Sequence, residues 1–79
     1  EVNKALAEAT QKNEPPMVDG RRLKFYYATQ TAVRPPTFTI FANKSEGVHF
    51  SYQRYLTNQF RELLGYGKVP LRLVFKDRK

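Results

Sequence analysis

The chain has no cysteine and no tryptophan, and only one histidine and one methionine, in 79 residues. Without cysteine it has no disulfide framework, no thiol nucleophile and no cysteine-ligated zinc. A Ser-His-Asp arrangement could draw only on His49, which lies in a polar loop and reads as an ordinary surface or helix-start residue. The seven acidic residues are scattered singly, so no carboxylate cluster suited to a metal ion is evident. Gly20, Gly47, Gly65 and Gly67 begin neither a GxxxxGKS/T nor a GxGxxG pattern, which excludes the usual phosphate-cradling loops. No apolar run approaches the roughly 18 residues of a membrane span, and no leader-like pattern opens the chain. Neither helix predicted below joins a basic polar face to a large apolar one, so no membrane partner is expected. The lack of thiols fits a reducing cytoplasm, where the chain is expected to work.

Positive charge is what the chain has in excess. Fourteen Lys and Arg face seven Asp and Glu, a formal net charge of +7. Such a balance favours polyanions through long-range attraction, nucleic acid being the commonest, with an acidic protein surface or anionic lipid as the alternatives. Hydrophobic residues make up 41% and aromatics 14%, too much for a disordered tail. The length predicts one domain over residues 1–79, expected to be monomeric and to bury about 60% of its unfolded surface. That leaves no room for a deep active-site cleft beside a core. The first residue is Glu1, not Met, so a domain cut from a longer protein is expected.

Periodicity predicts the order α-β-β-α-β. Val2, Ala5, Leu6 and Ala9 share one helical stripe within residues 1–13, which Pro15-Pro16 ends. Asp19-Gly20 marks a turn. From Arg22 to Gln30, Leu23, Phe25 and Tyr27 alternate with Arg22, Lys24 and Tyr26, a strand with one buried face. Arg34-Pro35-Pro36 is a connection. In a second strand, Thr37 to Asn43, Phe38, Ile40 and Ala42 lie on one side and Thr37, Thr39 and Phe41 on the other. Ser51 to Leu64 is an amphipathic helix with Tyr52, Tyr55, Leu56, Phe60, Leu63 and Leu64 on its stripe, stopped by Gly65. Pro70 opens a third strand, Leu71 to Lys76, followed by the charged tail Asp77-Arg78-Lys79. Three amphipathic strands need a cover on one face and two helices supply it, an α+β fold.

Two features of this pattern point to function. Arg21, Arg22 and Lys24 lie at the start of the first strand, and Arg72, Lys76, Arg78 and Lys79 lie along and beyond the third. If those strands are neighbours, the groups merge into one strip able to contact phosphates without reading sequence. Arg54 and Arg61, two turns apart on the second helix, either extend the strip or form a solvated face. Most aromatic residues fall on core stripes. Tyr26 and Phe41, with Val74, fall on the sheet face opposite the helices and form a candidate interface patch.

Several strings together are specific in order and spacing: Pro15-Pro16, Gly20-Arg21-Arg22-Leu23-Lys24-Phe25-Tyr26-Tyr27-Ala28-Thr29-Gln30, Arg34-Pro35-Pro36-Thr37-Phe38, Phe41-Ala42-Asn43, Ser51-Tyr52-Gln53-Arg54-Tyr55-Leu56-Thr57-Asn58 and Pro70-Leu71-Arg72-Leu73-Val74-Phe75. From about Leu6 to the terminus the chain resembles the C-terminal KH-like domain of the bacterial tandem-domain GTPases of the Der, or EngA, family. The resemblance implies a KH-like fold and a parent with two GTPase domains, which would supply GTP and magnesium sites that this chain lacks. It also implies a part in assembly of the large ribosomal subunit, packing against the GTPase domains in a nucleotide-dependent arrangement, and contact with rRNA. No glycine here is followed three residues later by another, so the GXXG clamp of ordinary KH domains is missing. Two roles follow for a chain that is not itself an enzyme. In one, Arg21, Arg22, Lys24, Arg72 and Lys76 contact rRNA phosphates. In the other, Tyr26, Phe41 and Val74 dock on a GTPase domain of the same chain, without direct RNA binding.

Overall fold

A computed structural model describes residues 1–78. The first helix, α1 (Val2–Lys12), is capped by Glu1, whose side chain accepts from the Asn3 and Lys4 amides at 3.1 and 3.4 Å, and it buries Ala5, Leu6 and Ala9. Beyond the two prolines comes a short hairpin, β1 (Met17–Val18) and β2 (Arg21–Arg22), paired Met17 to Arg22 and Val18 to Arg21. Asp19 and Gly20 form its two-residue turn at φ 50° and 75°. Positive φ at both central positions is what a tight hairpin needs, and Asp-Gly supplies it at low steric cost.

The main sheet contains β3 (Phe25–Ala32), β4 (Thr37–Ala42) and β5 (Arg72–Asp77), in the order β3-β4-β5. The first pair is antiparallel and the second parallel. A short 3-10 turn (Ser45–Gly47) and α2 (Phe50–Leu63) make the crossover between the parallel strands. The α+β, KH-like architecture is therefore present, with a small two-stranded sheet added. His49 starts α2 as its cap, its ring nitrogen accepting from the Ser51 amide at 3.1 Å.

The core lies between the sheet and the two helices. Ala28, Phe38, Ile40 and Ala42 from the strands meet Ala9, Leu56 and Phe60 from the helices. Phe38 and Phe60 pack edge to face at 5.7 Å, a preferred aromatic geometry. At the end of α1 two hydroxyls from α2 reach the backbone: Tyr55 donates to the Ala9 carbonyl and Tyr52 to the Asn13 carbonyl, each at 2.6 Å. The Tyr52 bond satisfies an acceptor that the helix end leaves open, and the Tyr55 bond adds a second donor to the Ala9 carbonyl, which also accepts from the Asn13 amide at 3.2 Å. Burial, and after it the neighbouring Tyr55, push the Tyr52 hydroxyl up to about 12.

The first predicted strand needs correction in two places. Its start is taken up by the hairpin, so pairing in the main sheet begins at Phe25. A register irregularity between Phe25 and Tyr27 then reverses the parity of the alternation. A bulge adds one residue to a strand, so every later side chain changes face. Tyr27 leaves the core and is 45% exposed, while Ala28, 2% exposed, takes the inward position.

Candidate nucleic-acid interface

Register defines the sheet face away from the helices. Three cross-strand rows occupy it: Tyr27–Phe41–Lys76, Thr29–Thr39–Val74 and Ala32–Thr37–Arg72. Tyr27 stacks on Phe41 with ring centroids 4.7 Å apart. The Thr31 and Thr39 hydroxyls share a hydrogen bond at 3.2 Å. Tyr26, in the bulge, is exposed, and so is Val74, while Phe41 is half-buried. Arg78 is tied to the end of β4 by its amide, 2.9 Å from the Ala42 carbonyl. Its guanidinium lies 4.2 Å from the Tyr26 ring centroid, so it bridges the far edge of the sheet to the bulge. Tyr26, Phe41 and Val74, grouped from sequence alone, thus belong to one neighbourhood, with Tyr27 and Arg78 as members that the simple alternation hides.

Charge is segregated around this face. Glu1 and Glu8 are on or beside α1, Glu14 follows it, Asp19 is in the hairpin turn, Glu46 in the 3-10 turn and Glu62 on α2. The remaining acid, Asp77, pairs in register with buried Ala42, and its carboxylate accepts from the Ser45 amide at 2.6 Å. The hydrogen bonds from Ser45, helped by Lys44, hold that carboxyl below the usual carboxylate range. None of the three rows contains an acid, whereas Lys76 and Arg72 end two of them and Arg78 lies just beyond. Placing cations together without acids gives a positive local potential instead of a set of neutral ion pairs.

Arg21 and Arg22 do not join that surface through strand pairing. A single strip requires the first and third strands of the sheet to be neighbours, and β4 lies between them. With strands about 4.8 Å apart, the two edges are separated by about 10 Å. Arg21 and Arg22 belong instead to the small hairpin, where Arg22 pairs with Glu14 at 3.1 Å. Asn43 fastens this segment to the end of β4: its side chain accepts from the Lys24 amide at 2.9 Å and donates to the Arg22 carbonyl at 3.1 Å. Its own amide donates to the Lys24 carbonyl at 3.0 Å, so exposed Lys24 sits at the same end of the sheet as Arg78. Lys44 pairs with Asp19 across the hairpin at 3.0 Å. Arg61 turns toward Asn58 and the Val69 carbonyl, and Arg54 lies 5.8 Å from the Phe50 ring. Both remain on α2 and extend neither group. Lys79 is outside the described residues.

Among the described residues no three His, Cys, Asp or Glu side chains are grouped to hold a metal ion, and no helix is long and apolar enough to cross a membrane.

The profile of a family described as the KH-domain-like, C-terminal part of EngA bacterial GTPase enzymes matches residues 1–76. The chain belongs to this EngA KH-like family. A GTPase Der of Syntrophobacter fumaroxidans is 60% identical over 99% of the chain, and one of Syntrophotalea carbinolica is 58% identical over 98%. A GTPase Der of Moorella thermoacetica is 52% identical over 95%. The chain spans only about 18% of the length of the first two relatives and 17% of the third. The resemblance carried by the motif strings is thus borne out, and with it the KH-like fold. As the C-terminal KH-like domain of an EngA protein, the chain is a non-catalytic module.

Proposed function

We propose that this chain, folded as one domain, is the RNA-contacting end of a cytoplasmic GTPase that acts in assembly of the large ribosomal subunit, with rRNA as its partner. GTP and magnesium belong to the GTPase domains that the relatives' name implies, and this domain binds neither. The observation that carries the reading is the sheet face whose rows hold Lys76 and Arg72 and no acid. Arg78 and Lys24 border it, and the hairpin adds Arg21. Arg22 contributes less, because Glu14 already occupies it. Phosphate contacts of this kind give salt-dependent affinity that is indifferent to sequence. In the full-length protein, the double variant Arg72→Ala and Lys76→Ala should weaken rRNA binding at low salt. It should also flatten the plot of log affinity against log salt by about 1.4 to 1.8, the contribution of two phosphate contacts. An unchanged slope, or no binding by the unaltered protein at low salt, refutes the assignment.

A second reading has its own observation, the exposure of Tyr26 and Val74 beside Phe41. Here the patch docks on a GTPase domain of the same chain and biases its conformation, which requires docking to differ between nucleotide states. Phe41→Glu in the full-length protein should then alter GTP turnover. Unchanged turnover removes the patch from that interface.

A further inference from the structure

Resting on the RNA-contact reading, we propose that the open sheet face binds single-stranded RNA, with unpaired bases stacked on Tyr27, Phe41 and Tyr26 and the phosphates held by Lys76, Arg72 and Arg78. Basicity alone would serve any nucleic acid, duplex or single-stranded. The aromatic residues are what narrow the ligand. An exposed tyrosine on an ordinary surface strand needs no ligand, but here the bulge leaves two consecutive tyrosines exposed, Tyr26 and Tyr27. One is held by stacking on Phe41 at 4.7 Å and the other by the Arg78 guanidinium at 4.2 Å. Rings fixed in this way lose little freedom when a base is added, and a base can stack on an aromatic face only when it is unpaired.

The cations are in register with the rings. Lys76 shares a row with Tyr27 and Phe41, and Arg72 lies two rows further along the same strand, about 13 Å away at 3.3 Å per residue. A strand of RNA laid along this face therefore meets Lys76 beside the rings and Arg72 beyond the Thr29–Thr39–Val74 row. A protein partner would need a matching acidic strip, whereas a polynucleotide carries its negative charge at every residue. With no GXXG, the backbone clamp of ordinary KH domains is unavailable, so a single-strand contact of this domain is made on another surface.

The test uses the full-length protein and three probes. These are a short single-stranded RNA carrying a fluorescent purine analogue quenched by stacking, the same strand with abasic positions, and an RNA duplex of equal length. Tyr27→Ala should lower single-strand affinity about tenfold or more and relieve the quenching, and duplex binding should be unaffected. Tyr27→Phe, which keeps a stacking ring, should restore both signals. Lys76→Ala should weaken single strand and duplex alike. Equal affinity for intact and abasic strands, or no effect of Tyr27→Ala, overturns the stacking proposal and leaves the phosphate reading standing. Absence of RNA binding by the unaltered protein overturns both. Should Tyr27→Ala change GTP turnover while leaving single-strand binding intact, the face belongs to protein docking and the proposal is wrong.

Discussion

Removing one hydroxyl should make the stability of this domain respond to alkali in a way that reveals how α1 and α2 are joined. Tyr52 is 5% exposed, and its hydroxyl donates to the Asn13 carbonyl at 2.6 Å. Replacing it by Phe deletes the donor and leaves that carbonyl without its partner, at a cost of about 1–2 kcal/mol near neutrality. Tyr55→Phe should cost less, because the Ala9 carbonyl keeps the Asn13 amide at 3.2 Å. Alkali then reverses the advantage of the native residue. The folded state holds the Tyr52 hydroxyl at about 12 against an ordinary 10.0, through burial first and Tyr55 second. A raised folded value means that the contribution is complete below pH 10 and is lost as pH rises through 12. At 1.36 kcal/mol per unit, the loss is about 1 kcal/mol at pH 11 and approaches about 3 kcal/mol above pH 12. Denaturant melts of the native chain and of Tyr52→Phe at pH 7 and pH 11 give the assay. The gap between the two proteins should shrink by about 1 kcal/mol, most of its size. A gap that is the same at both pH values would show that Tyr52 is neither desolvated nor bonded as described.

Three further outcomes can be checked on the same chain. Gly47→Ala places a methyl 2.5 Å from a methyl of Val18, an overpacking that should cost about 1–3 kcal/mol in a denaturant melt, with Val18→Ala recovering most of it. Asp77→Asn should remove part of the acid sensitivity of folding. The Asp77 carboxyl is held low by Ser45, so its contribution is present above the ordinary carboxylate range and lost as pH falls through the depressed value; acid titrations of variant and native chain that coincide would contradict this. Asn43→Ala should free the Arg22–Lys24 segment from the end of β4, seen as faster amide exchange at Lys24 with the exchange of Ile40 unchanged.

Where periodicity follows burial, the sequence is a good guide, and α2 is the clearest instance. Tyr52, Leu56 and Phe60 fall on one stripe and are buried, because a helix of fourteen residues repeats its pattern often enough to reveal a face. The hairpin at Met17–Arg22 is too short to show any period, and only Asp19-Gly20 betrays it. The bulge in β3 is invisible to alternation, since two adjacent tyrosines beside Phe25 are compatible with either parity. Ala28 is the residue that settles it: it is 2% exposed, and a count backward from that inward position moves Tyr27 outward. Sheet order is the other thing that composition cannot express. The two cation groups are equally far apart in sequence whether β4 lies between their strands or outside them.

Strand parity ties the two candidate roles together. Arg72, Val74 and Lys76 lie on one face of β5, because alternate residues of a strand share a side, so phosphate contact and aromatic docking draw on the same surface. With β4 central, Phe41 lies between Tyr27 and Lys76 in one row, so a GTPase domain covering Phe41 also covers the neighbouring cation. If the face serves both partners, they exclude each other. Any nucleotide state that favours docking then lowers the affinity for RNA by the factor through which docking is preferred. By linkage, bound RNA shifts nucleotide affinity by that same factor. RNA affinities measured with GDP and with a non-hydrolysable GTP analogue should therefore differ, and the difference should vanish in Phe41→Glu if docking is its source. A difference that survives Phe41→Glu would place the nucleotide-sensitive contact elsewhere on the domain.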